Sequence, residues 1–177
     1  MRTEFGKSGL KRCMVAVLIA IGIASASRGV LGQSSGDAVL SVADATKLLP
    51  TTVFFRGQSA TTQLRNSGGV KFADGFYVLS MLVDTSGYSS DVAQKYQAYF
   101  IAEIPIKIEG HDLPAGIYGV GFVADNKFVV LDVGAHDLFS VTSHKDEAMK
   151  RPMPLKVTGD NSGFRLYAGR SYVSFAR

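Results

Sequence analysis

Between Tyr99 and Ile108 the chain alternates strictly, with Phe100, Ala102, Ile104, Ile106 and Ile108 on one face and Glu103, Pro105 and Lys107 on the other. Successive side chains of a strand point to opposite sides, so this run must bury one face and leave the other wet. Proline cannot donate to a ladder, which makes Pro105 the mark of an edge or a bulge. Short runs rich in Val, Ile, Phe and Tyr recur on both sides: Thr52–Phe55, Thr61–Arg65, Val70–Phe72, Phe76–Val83, Ile117–Val123, Phe128–Val133, Met153–Val157, Phe164–Tyr167 and Tyr172–Phe175. Clusters of Gly, Ser, Asn and Asp separate them, and no helical pattern of crossover length intervenes. Such a chain is all-β. The pattern predicts one antiparallel β-sandwich or barrel of about 8–9 strands.

Only one segment beyond the N-terminus reads as helical. Val42, Ala45, Leu48 and Leu49 lie at near-helical spacing and Pro50 stops them, so a short helix ends a 27–50 linker and the β-domain spans 51–177.

The N-terminus carries an address. Arg2, Lys7, Lys11 and Arg12, with Glu4, precede an apolar run from Cys13 to Ile23 that leads into Ala24-Ser25-Ala26. This order of charged, apolar and small residues is a signal peptide over 1–26, with cleavage after Ala26 or, at a second small-residue point, after Gly32. The apolar run is shorter than the roughly 20 residues that span a bilayer as a helix. A periplasmic or extracellular location follows, with no transmembrane segment in the mature chain. Four of the 19 basic and one of the 15 acidic residues fall in 1–26, leaving 15 against 14. A nearly neutral chain lacks the concentrated basic face that nucleic acid needs. The single cysteine, Cys13, leaves with the signal, so the exported protein is held by its core without disulfides.

Motifs of catalysis are sparse. Gly119-Val-Gly121-Phe-Val-Ala124 has the spacing of a dinucleotide fingerprint, but a β-run follows where that fingerprint needs a helix N-terminus. The two glycines read instead as strand positions that another backbone or a bulky side chain approaches. The serines of Thr85–Ser90 read as a turn before they read as a nucleophile. Two of the three histidines sit in His-Asp pairs, His111-Asp112 and His136-Asp137. Were Tyr99–Ile108, Ile117–Val123 and Phe128–Val133 a simple meander, both pairs would share one end of the sheet, about 10 Å apart, since neighbouring strands lie roughly 4.8 Å apart. His111, Asp112, His136 and Asp137 are therefore the candidate ligand site, with His111, His136 and Asp137 as candidate ligands of a divalent metal and Asp132 and His144 as further members.

The stretch Gly110-His-Asp-Leu113-Pro114-Ala115-Gly116-Ile-Tyr118, with Phe128-Val-Val-Leu131 after it, resembles a G-x-x-LPAG-x-Y hairpin that recurs in exported bacterial β-sandwich proteins of unassigned function. The resemblance implies a β fold and export and brings no catalytic residue. In such a hairpin Pro114 pre-sets the turn and Gly116 supplies an unusual φ. The function expected is non-enzymatic binding of a small molecule, a glycan or an envelope protein. The alternative is a metal-assisted hydrolase built on the His-Asp cluster.

Overall fold

The computed structural model describes residues 36–160 and 162–177, so the expected signal peptide and its expected cleavage points lie outside the described residues. Strands make up 57% of the structure and two short helices complete it. In chain order the elements are β1 (Ala38–Val39), α1 (Val42–Leu48), β2 (Thr52–Phe55), β3 (Gln58–Lys71), β4 (Tyr77–Val83), α2 (Ser90–Lys95), β5 (Ala98–Ala102), β6 (Ile106–Ile108) and β7 (His111–Leu113). They continue with β8 (Gly116–Val123), β9 (Lys127–Leu131), β10 (Asp137–Thr142), β11 (His144–Lys145), β12 (Met153–Asp160), β13 (Gly163–Gly169) and β14 (Ser171–Ala176).

These strands form two antiparallel sheets, neither closed into a barrel. The first runs β1-β3-β4-β5-β8-β9-β10, with β2 on β3; the second runs β12-β13-β14-β6-β7, with β11 on β14. Among the described residues fourteen strands replace the eight or nine expected. Part of the surplus is short pairings such as β1 and β11, which two residues cannot announce in a sequence. Among the described residues no helix is long and apolar enough to cross a membrane.

The Tyr99–Ile108 run is not one strand. Its chain leaves the first sheet after Ala102 and joins the second at Ile106, with Pro105 at the crossing and in neither ladder. The alternation nevertheless survives, because both sheets turn the same set inward. Phe100, Ala102, Ile104, Ile106 and Ile108 all sink into the core between the sheets, with Val78, Val120, Phe128, Val130, Leu155, Leu166, Val173 and Phe175. The β6–β7 hairpin is thus an excursion into the second sheet, not a loop at the end of the first. Its turn is Glu109-Gly110, both at positive φ (47° and 80°), the pairing that two-residue hairpins favour.

Gly116 is not held by its φ. A Cβ there would lie 2.8 Å from the Tyr118 hydroxyl, which folds back to donate to the Pro114 carbonyl at 2.9 Å. The L-P-A-G-x-Y stretch therefore works as a tyrosine-locked corner, with glycine leaving room for the ring.

The first sheet is buried on its other face as well. There α1, α2 and the β2–β3 hairpin cover Leu79, Met81, Val83, Tyr99 and Leu131. Ser41 caps α1 by accepting from the Asp44 N–H, and Ala45 anchors the helix in this second core. Helix α1 is the short helix expected at the end of 27–50, and β1 precedes it in the part read as linker, so the ordered fold takes in residues before Thr51. Helix α2 follows the polar Asp84–Ser90 stretch and docks through Val92 and Tyr96, one turn apart.

Gly119 and Gly121 form the floor on which this layer rests. The Phe55 and Tyr96 rings stack with centroids 3.7 Å apart, and a Cβ on Gly119 would meet them at 2.6 and 2.8 Å. At Gly121 a Cβ would collide with the Lys95 carbonyl oxygen at the end of α2. The glycine spacing that mimics a dinucleotide fingerprint is a packing device for a helix and a hairpin.

Candidate functional site

The loop joining β9 to β10 holds one imidazole in a fixed pose. Asp132 Oδ1 accepts from the N–H groups of Gly134 (2.8 Å) and His136 (2.9 Å), while Oδ2 lies 2.9 Å from His136 Nδ1. A carboxylate only accepts, which puts the ring proton on Nδ1 and leaves Nε2 as the outward nitrogen. The loop closes on itself through Asp132 N–H to the His136 carbonyl and Ala135 N–H to the Asp132 carbonyl, both 3.0 Å. Ala135 takes φ +68° to permit this, and a Cβ at Gly134 would press on the ring at 2.9 Å from Cε1. The imidazole is 81% exposed, and its Nε2 has no partner among the described residues.

These bonds hold the Asp132 carboxyl below the usual carboxylate range, the His136 backbone N–H first and its ring second. A depressed folded pKa gives a loop that is fully tied above the unfolded carboxylate value of about 3.9 and loosened as pH falls through the lower folded value. Protection of the Gly134 and His136 amides, taken relative to the intrinsic exchange rate at each pH, is expected to fall over that acidic window, and Asp132→Asn should remove that fall.

The other residues of the expected site go elsewhere. Asp137 pairs with Lys95 of α2 at 2.6 Å, on the outer face of the first sheet. His111 stacks on Phe139 of β10 with ring centroids 4.5 Å apart, and Phe139 packs against the core between the sheets. Asp112 faces Lys107 across the β6–β7 ladder and forms an ion pair with it, which lowers the Asp112 carboxyl. His144 Nε2 lies 3.2 Å from Glu109 Oε2. The structure thus brings His136 together with Asp132 and sends His111 and Asp137 to opposite faces. Among the described residues no three His, Cys, Asp or Glu side chains are placed to hold a metal, so His111, His136 and Asp137 do not meet as a ligand set. The reason is the β6–β7 excursion, which takes the first His-Asp pair out of the first sheet.

Lys95 and Glu109 escaped the sequence reading because nothing local marks them. The Asp132-x-Gly-x-His136 spacing is the legible signal, since an Asp side chain readily takes amides two and four residues on.

Exposed apolar side chains lie at the same end of the first sheet as the β9–β10 loop, with Ile117 and Val133 each two residues beyond the Gly119–Leu131 pair. Ile117 of β8 is 43% exposed, Val133 51% and Leu138 49%. Ile117 continues the row Leu79, Ile101 across the outer face, at the margin of the layer made by α2 and the hairpin. Arg56 N–H donates to the Val133 carbonyl at 2.7 Å and ties the tip of the β2–β3 hairpin, bearing the exposed Phe54, to the same loop.

Between the sheets, by contrast, the cavity lined by Leu82, Gln97, Val120, Phe122, Leu155 and Leu166 measures about 10 Å³, room for one water at most. A surface groove of about 430 Å³ runs along Pro105, Lys107, Asp112, Pro114 and Arg177, away from His136. No protein-family model, curated protein or solved structure matches the chain.

Proposed function

We propose that the protein is an exported, non-enzymatic binding domain whose partner is an envelope protein, engaged at the β9–β10 end of the first sheet. The observation that carries this reading is the exposed apolar set Ile117, Val133 and Leu138 at the end of the first sheet that also carries a pre-oriented His136. Apolar side chains rimmed by polar ones mark interaction surfaces, and a fixed imidazole adds a directional polar contact at little entropic cost. Protein is favoured over a small molecule because the set is spread over a strand, a loop and an edge strand and is not gathered in a cleft.

The test is affinity capture from a solubilised envelope fraction, comparing the wild type with Ile117→Glu/Val133→Glu. A partner held by the wild type and lost by the double variant, at unchanged melting temperature, is the expected outcome. Identical capture by both would count against the site.

A second reading rests on the Asp132–His136 pair, in which a carboxylate orients an imidazole as it does for a general base. In that case the protein is a hydrolase, without a metal built from His111, His136 and Asp137. Turnover of a generic ester or glycoside that disappears in His136→Ala would establish it in place of the binding role.

A further inference from the structure

The exposed edges of the two sheets differ in how they are protected. In the first sheet β1 is only two residues long. In the second, β12 carries Pro154, Lys156 and a register shift between Met153 and Lys156, while β7 has three residues and an ion-paired Asp112. Short length, proline, charge and irregular register are the devices by which open edges avoid pairing with other chains. Strand β10 lacks them over most of its length. Leu138-Phe139-Ser140-Val141-Thr142 contains no charge and no proline, and its register shift lies between Asp137 and Phe139, outside Ser140–Thr142.

Its backbone phase is fixed by the Ser143 N–H, which donates to the Asn126 carbonyl at 2.7 Å on the β9 side. Alternate residues of an antiparallel strand turn their N–H and C=O groups to the same side. Phe139 and Val141, paired with Val130 and Phe128, face β9 with theirs; Ser140 and Thr142 present theirs to the open side. Among the described residues no strand pairs with that side.

We infer that β10 pairs with β10 of a second copy, antiparallel, about a two-fold axis at Val141. The strand is complementary to itself in that register. Ser140 falls opposite Thr142 of the second copy, and each such pair exchanges two backbone hydrogen bonds, four in all. Ser and Thr hydroxyls are favourable cross-strand neighbours, Val141 meets its own counterpart, and no like charges oppose each other. A two-fold contact needs this kind of self-complementary patch. The dimer joins the two first sheets into one continuous sheet and leaves Ile117 and Val133 on its outer face, so it does not depend on the binding role proposed above.

Sedimentation velocity of the purified protein over about a hundredfold range around micromolar tests this. The wild type is expected to shift from monomer to a species of twice the mass. Ser140→Lys/Thr142→Lys sets like charges opposite each other and should stay monomeric. Ser140→Asp/Thr142→Lys sets opposite charges opposite each other and should restore the dimer, an outcome that a merely misfolded edge would not give. A wild type that remains monomeric throughout, or a dimer that persists in the double-lysine variant, would overturn the inference. So would Ser140 and Thr142 amides whose exchange does not slow as concentration rises.

Discussion

Phe55→Ala is expected to cost about 3–5 kcal/mol, seen as a lower denaturant midpoint at an unchanged slope. Phe55 is fully buried although it belongs to a four-residue strand at the rim of the fold. Its ring stacks on Tyr96, meets Tyr88 edge-on at 6.2 Å between centroids, and rests on the bare backbone of Gly119. Removing it takes away most of what joins the β2–β3 hairpin to α2. The Tyr96 hydroxyl, buried without a hydrogen-bond partner among the described residues, would gain a cavity beside its ring. A double-mutant cycle gives this prediction its sharper form. Gly119→Ala alone should be strongly destabilising, because the new methyl runs into both rings. In the Phe55→Ala background one of those rings is gone, and the second substitution should cost less by about 0.5–3 kcal/mol. Additive costs would mean that the hairpin does not sit on Gly119.

Ile106→Ala is expected to cost about 2–5 kcal/mol. Ile106 is 2% exposed and is the first residue of the chain to pair in the second sheet, opposite Leu113. The crossing from Ala102 to Ile106 passes through Ile104, which is also buried, so the two isoleucines fill the corner where the sheets share a chain. Ile104→Ala should fall in the same range. Lys107→Ala, on the wet face next to Ile106, should change stability by less than about 1 kcal/mol, since an exposed ion pair contributes little. Equal losses at Ile106 and Lys107 would show that the inward face is not the one the alternation marks.

These two sites also show what a sequence of this kind discloses. Inward and outward positions of the Tyr99–Ile108 run were legible because burial acts on each residue separately and leaves a period of two. The sheet to which each half belongs was not, because Phe100 and Ile106 face the same core from opposite walls. Among the Gly, Asn and Asp clusters that separate the strands, Asp125, Asn126 and Gly169 do take left-handed φ, so composition and geometry coincide there. Gly119 and Gly121 announced a close approach without saying by what; Phe55 and Lys95 are 64 and 26 positions away in the chain. Helix α2 was hidden because six residues carry under two turns of periodicity, with only Val92 and Tyr96 to signal a face.

The candidate site divided in the same way. Asp132 and His136 are four apart, and their contact follows from local backbone geometry. His111 was placed beside His136 on the premise of a plain meander, and the β6–β7 hairpin removes that premise. Charge partners such as Lys95 for Asp137 and Glu109 for His144 depend on tertiary placement alone.

Burial of the first sheet on both faces is measured most directly by native-state hydrogen exchange. Amides of Tyr99–Ile101 in β5 and of Gly119–Gly121 in β8 lie beneath two cores and should be among the slowest in the protein, opening only with global unfolding. Those of β10, with one neighbour strand, should exchange faster in the monomer. Rapid exchange at Gly119, Val120 and Gly121, while the second sheet stays protected, would contradict the docking of α2 and the β2–β3 hairpin on the first sheet.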